Sequence, residues 1–171
     1  MIQTQVLPLL CRDADLGAVM LEVGPGPGAA TGWLSQQVTS LVAVEADAEA
    51  AQALARAHAG TNVEVLARDA GTLPFEDGHF DSAGAFTMLH HIPTAGLQDR
   101  LFAETFRVLR SGGVFAGSDS ASSIPFRVLH FRDICNPVSP DDLLNRLRAS
   151  GFSDLHVDIG RGSLRWRAVK P

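Results

Sequence analysis

An open α/β sheet, mostly parallel and covered by helices on both faces, is the fold class this sequence predicts. Three observations carry that reading. Short apolar runs alternate with stretches of helical spacing along most of the chain. The first run is followed at once by three glycines at alternate positions, Gly24, Gly26 and Gly28, the turn that joins strand to helix in nucleotide-binding sheets. The last two runs are separated only by Gly160-Arg-Gly162, so they predict an antiparallel hairpin at the end of the sheet. At 171 residues the chain reads as one domain, long enough to bury a substantial core.

The elements follow in order. Val19, Met20, Leu21 and Val23 form a short buried strand with one acid, Glu22, just before its end. Residues 29–38 follow the glycines as a helix whose first N–H groups face a ligand. Residues 40–44 give a second strand ending at Glu45, and the alanine-rich stretch 47–59 a helix stopped by Gly60. Residues 63–67 and 80–86 are the third and fourth strands. Leu97, Leu101, Phe102, Thr105, Phe106 and Leu109 have helical spacing, Ser111-Gly-Gly113 ends that helix, and residues 114–117 are the fifth strand. Residues 126–134 read as a short helix between serine- and proline-rich pieces. Ser139 caps a helix opened by Pro140 and running to Ala149. Residues 155–159 and 164–169 form the terminal hairpin.

Composition narrows the function classes. A net charge of −5 argues against a general nucleic-acid binder, which would carry a basic face. Arg161, Arg165, Arg167 and Lys170 cluster near the C-terminus, but Leu164, Trp166 and Ala168 alternate with them, as in a half-buried strand with a solvated outer face. Cys11 and Cys135 stand in no metal-ligand spacing, so no metal site is expected. Neither a signal segment nor an apolar run near 18 residues is visible, which predicts a cytoplasmic chain without a membrane span.

The glycine loop admits more than one ligand. Gly24, Gly26 and Ala29 satisfy the G-x-G-x-x-G/A dinucleotide fingerprint, and Glu45 lies where an acid accepts from ribose hydroxyls. A nicotinamide or flavin protein, and a purely structural turn, both remain open on these residues. Asp69 discriminates. It follows the third strand in Ala67-Arg-Asp-Ala-Gly-Thr-Leu-Pro-Phe75, with no apolar reason to be there. A carboxylate at that place can accept from an adenine amine, while the Ala70 N–H can donate to a ring nitrogen.

Four ordered motifs resemble the type 11 group of class I S-adenosylmethionine-dependent methyltransferases. The acid-x-Gly-x-Gly-x-Gly of Glu22 to Gly28 resembles that family's first motif. Asp69 to Phe75 resembles Gly-Asp-Ala-x-x-Leu-Pro-Phe, with Arg68 in place of the usual glycine. Phe80-Asp81 with Leu89-His-His-Ile92, and Arg107-Val-Leu-Arg-Ser-Gly-Gly113, complete the set, Ser111 standing where proline is usual. The resemblance spans residues 19–118. It implies a Rossmann-like, seven-stranded, mostly parallel sheet, with a cap over residues 1–18, a core over 19–118 and a helix and hairpin over 119–171.

It also implies S-adenosylmethionine as cofactor, and Glu22, Gly24, Pro25, Gly26, Gly28, Glu45, Ala46, Asp69, Ala70, Ala85 and Phe86 as its binding residues. The implied activity is methyl transfer to a small-molecule acceptor at oxygen, nitrogen or carbon. A non-catalytic cofactor-binding partner or sensor is the alternative, and a nicotinamide-binding protein the third reading. The methionine carboxylate suits the helix start after Gly28, and Glu22 faces the cationic methionine end. His90 and His91 are the candidate bases, lying past a strand end where ligands bind, or they line the pocket. Asp81 braces the start of its strand, and Ser118, Asp119 and Ser120 are placed to touch substrate. Residues 1–10 and 126–134 are the only apolar pieces suited to covering the cleft. Two outcomes stay open: residues 1–16 fold as a small sufficient cap, or the lid is completed by a second copy, another protein or a bulky acceptor.

Overall fold

The computed structural model describes residues 15–120, 136–160 and 163–171. The expected cap over residues 1–10, the helix over 126–134, both cysteines, and Arg161 and Gly162 of the terminal turn lie outside them.

Seven strands form one sheet: β1 (Val19–Val23), β2 (Ser40–Glu45), β3 (Val63–Ala67), β4 (Phe80–Phe86), β5 (Leu109–Ser120), β6 (Ser153–Gly160) and β7 (Ser163–Val169). Their spatial order is β3-β2-β1-β4-β5-β7-β6. The first five are parallel, and β7 runs antiparallel between β5 and β6. The order reverses between β1 and β4, the switch point where ligands bind at the carboxyl ends of strands.

Alternation along the strands supplies both faces of the sheet. Leu21, Val23, Val42 and Val44 join Phe80, Phe102, Phe115 and Trp166 in the larger core. Met20 and Leu41 point the other way, onto Leu16, Ala30, Leu34 and Phe86. On β7 the residues Leu164, Trp166 and Ala168 are buried. The intervening Arg165 and Arg167 pair with Asp158 and Asp154 of β6. The expected half-buried strand is thus observed.

Among the described residues four helices are present: α1 (Thr31–Leu34), α2 (Ala48–Ala57), α3 (Ala95–Val108) and α4 (Pro140–Ala149). Side-chain caps set three of their starts. Asp47 accepts from the Ala50 N–H, Thr94 from Leu97 and Ser139 from Asp142. Two boundaries differ from expectation. The helix expected over 29–38 is only the four-residue α1, which has no side-chain cap. Asn62 Nδ2 donates to the carbonyls of Ser35, Val38 and Thr39, ending the segment as a capped turn. The Ser111-Gly-Gly113 stop is also reassigned. The helix already ends at Val108, and Leu109 pairs with Phe80 while Val114 pairs with Ser82. The register shift absorbs the intervening residues as a bulge, with Gly112 at φ +77°.

Asp81 does brace the start of the sheet. Its Oδ2 accepts the N–H groups of Ala18 and Val19 at 2.7 and 2.8 Å, and its Oδ1 accepts from Arg110 Nε. The Val19 bond is the main reason its carboxyl titrates below the ordinary value. Asp81→Ala is expected to cost about 2 kcal/mol by leaving these donors unpaired, read as a lower midpoint in urea.

Candidate functional site at the carboxyl ends of four strands

A cleft of about 730 Å³ opens where β1, β2, β3 and β4 end. Its floor is the glycine loop. Gly24, Gly26 and Gly28 all have positive φ, at +61°, +53° and +82°, a region that favours glycine. Their side-chain directions differ in use. A Cβ on Gly24 would meet Met88, and one on Gly28 would meet Leu54 at 2.5 Å, so these two permit close packing. A Cβ on Gly26 would meet nothing within 4 Å, which leaves its backbone bare toward the cleft. Gly28 itself does not line the cleft; Gly24, Pro25 and Gly26 do.

Glu22 is 1% exposed yet lines the cleft. Burial pushes its carboxyl from 4.5 up to about 7, with the Thr31 hydroxyl opposing the rise. Neither Glu22 Oε2 nor the Thr31 hydroxyl closes a full hydrogen bond among the described residues. Such a buried acid calls for a cationic or donor partner. Glu45, at the end of β2, is half-buried and directed back to the loop. Its Oε2 accepts the Gly26 N–H at 2.9 Å, and its Oε1 accepts the Asp47 N–H at 3.0 Å. Asp69 is exposed and accepts the Gly71 N–H at 2.8 Å. Ala46 and Ala70 line the same cleft beside these acids.

The loop carrying Asp69 is tied down from α3. Arg107 donates to the carbonyls of Leu73 and Phe75, to Asp77 and, through two nitrogens, to Glu104. Glu104 in turn accepts the Leu73 N–H. The Leu73-Pro-Phe75 string therefore reads as an anchoring segment that presents Asp69, and its Phe75 ring packs edge-on against Phe80.

The structure separates residues that the sequence grouped. Phe86 lines the cleft, whereas Ala85 is fully buried in β4 beneath it. His91 lines the cleft, but His90 is 2% exposed and turned onto Asp119. Ser118 and Asp119 are buried within β5 rather than open to substrate. The anion site assigned to the helix start after Gly28 is withdrawn, because four residues of α1 have too little aligned dipole to supply it.

Several wall residues were not foreseen. Met88, Ile92 and Pro93 follow β4, and Leu97 and Leu101 reach the cleft from α3. The two leucines carried a signal, an i,i+4 apolar pair, but that pattern reads equally as core. Arg68 is the cation of this wall among the described residues.

The set fits S-adenosylmethionine on its own chemistry. It combines an orphaned buried carboxylate for a cation, a carboxylate beside the bare Gly26 backbone for hydroxyls, and Asp69 for an amine.

The comparisons agree. A methyltransferase domain model of the type 11 family matches residues 21–117, more than half of the chain. The O-methyltransferase cnsE of Penicillium expansum is 32% identical over 161 residues, covering 87% of this chain and 57% of its own. An uncharacterized methyltransferase of Synechocystis is 34% identical over 111 residues, covering 64% of this chain and 50% of its own. The chain thus spans about half the length of the curated relatives it matches. A SAM-dependent methyltransferase of Methanosarcina mazei superposes with a TM-score of 0.80 at 18% identity, covering 95% and 97% of the two chains. The [4+2]-cyclase SpnF superposes with a TM-score of 0.76 at 18% identity, covering 95% of this chain and 79% of its own. On the family match, the chain belongs to the class I S-adenosylmethionine-dependent methyltransferases, type 11 group, and S-adenosylmethionine is its cofactor.

Proposed function

We propose that this chain transfers the methyl group of S-adenosylmethionine to an uncharged small molecule. The observation that carries the reading is Glu22, a buried carboxylate with an orphaned oxygen, at the edge of a bare glycine backbone. Glu22 would hold the cationic methionine end, Glu45 the ribose hydroxyls, and Asp69 with the Ala70 N–H the adenine. When bound, the cofactor supplies a methyl group already activated on a positively charged sulfur. The protein's work is then to hold an acceptor in line and to keep water out.

The cleft walls suit such an acceptor. Phe86, Met88, Ile92 and Pro93 are apolar, and His91 stands among them as a titratable group. A nucleic-acid acceptor is disfavoured by the net charge of −5, and by the carboxylate partners that Arg165 and Arg167 already have. No described helix is long and apolar enough to cross a membrane. We keep the cytoplasm as the proposed location, and a second copy or a protein partner as the proposed completion of the lid.

Calorimetry tests the cofactor assignment directly. S-adenosylhomocysteine is expected to bind and NAD to give no heat; the reverse result overturns the reading. Glu45→Ala removes the charge-assisted ribose contacts and is expected to weaken S-adenosylhomocysteine about tenfold or more, with the fold intact. Asp69→Ala should weaken it less, because Asp69 is exposed and water can replace it. An unchanged dissociation constant for Glu45→Ala would leave Glu45 as a loop brace only.

A further inference from the structure

Asp119, near the end of β5, and His90, in the 3-10 turn Leu89–His91 after β4, are used by none of the chemistry above. They are 4% and 2% exposed. Asp119 Oδ1 lies 2.5 Å from His90 Nδ1, and Oδ2 accepts the His90 backbone N–H at 2.8 Å. The Ser120 N–H adds a bond to Oδ1 at 2.7 Å. A buried pair of this kind adds little stability over an apolar pair of the same volume, so its presence points to a role in placement.

The same turn is gripped from other sides. Gln98 Nε2 donates to the Leu89 carbonyl at 2.8 Å, and the Asn136 N–H donates to the His90 carbonyl at 2.8 Å. Thr87, just before the turn, has φ +59° and donates its N–H to Ser118 O at 2.6 Å. A β-branched residue in that region is strained, and the strain persists only where its surroundings over-determine it. The turn so fixed delivers one ring to the cleft. His91 lies with its ring centroid 4.0 Å from that of His90 and lines the cleft beside Ile92 and Pro93.

We propose that Asp119 is a positioning residue. Through His90 it fixes the Leu89–His91 turn, so that His91 meets the acceptor and takes its proton. The acceptor is then a hydroxyl or amine: its oxygen or nitrogen bonds to the methyl carbon, the carbon–sulfur electron pair leaves with sulfur, and the acceptor's proton passes to His91. The inference rests on the methyl-transfer reading.

Its test needs no identified acceptor. It uses the full chain with 15N-labelled histidine rings, and S-adenosylhomocysteine as the probe. One far-downfield, slowly exchanging ring proton is expected and is assigned to the pair by its loss in His90→Gln. The ring signals lost in His91→Gln should move when the probe binds, and those of His90 should not. In Asp119→Asn the downfield proton should vanish and the His91 movement fall to less than about half, with probe affinity held within about threefold. A merely structural Asp119 would leave the His91 response unchanged at that affinity. That result overturns the proposal, as does a response at His90 in place of His91. If Asp119→Asn does not fold, Asp119→Glu keeps the charge and should fold with altered His91 signals. Loss of the fold in both variants assigns the pair to the scaffold and also overturns the proposal. Failure of the underlying reading looks different. Without a cofactor site the unaltered chain would not bind the probe, while the downfield proton would still be present. A cofactor-binding chain without methyl transfer would keep both the proton and the His91 response but methylate no hydroxyl or amine when a labelled methyl group is offered with a cell extract.

Discussion

Without cofactor, the protein is expected to lose roughly 3 kcal/mol of stability between pH 4.5 and pH 7, and Glu22→Gln to abolish that loss. Burial raises the Glu22 carboxyl from 4.5 to about 7 in the folded chain. Between those values the folded state holds a proton that the unfolded state has released. The stabilising contribution is therefore complete below about 4.5 and disappears as pH rises through about 7. Urea titrations of the two proteins across this range, read as the difference between their slopes, isolate the group from other carboxylates. Ligand binding should run the opposite way. A cationic amine beside Glu22 favours the carboxylate, so affinity for S-adenosylhomocysteine should rise with pH and reach its plateau above about 7. From pH 5 to pH 8 the gain is expected to be about fiftyfold, as binding displaces the retained proton. A flat binding profile together with a steep stability profile would place Glu22 away from the cofactor's charge.

Gly117→Ala is expected to destabilise the fold by about 3 kcal/mol or more, lowering the melting temperature by roughly 6–12 °C. A Cβ at this position of β5 would overlap both the Trp166 ring and the Ala85 carbonyl oxygen. Neither can yield. Trp166 is 1% exposed within the larger core, and Ala85 lies inside β4, paired with Val23 on one side and Gly117 on the other. Gly26→Ala is the matched control. Its Cβ would meet nothing, so only the conformational cost at φ +53° remains, about 1 kcal/mol. Thermal denaturation should therefore separate the two substantially. A Gly117→Ala protein melting within about 2 °C of the parent would mean that β5 can shift against Trp166 of β7 and Ala85 of β4 at little cost.

Much of the candidate site was legible because its chemistry is carried by short local strings. The three glycines announce their turn through the one property that only they have, freedom at positive φ. Glu22 is legible as an acid inside an apolar run, and Glu45 and Asp69 by their places at strand ends. What stayed hidden depends on residues distant in the chain. Nothing in the neighbouring sequence of His90 and His91 distinguishes two adjacent histidines; Asp119, 29 positions away, takes one and leaves the other to the cleft. The helix expected after Gly28 was misjudged for a similar reason. Asn62 competes for the carbonyls that would have continued it.

The sequence by itself determined the alternation of strands and helices, the capped start at Ser139, and the carboxylates that ring the cleft. These follow from spacing, propensity and solvation, which act over a few residues and read directly along the chain. Only the tertiary structure decided which face each side chain meets. It placed the bulge at Arg110–Gly113, packed Gly28 onto Leu54, buried Ala85 beneath the cleft and brought Leu97 and Leu101 to its wall. Those outcomes are set by close packing between elements far apart in sequence, where a shift of one side chain's width reverses whether a residue touches ligand or core.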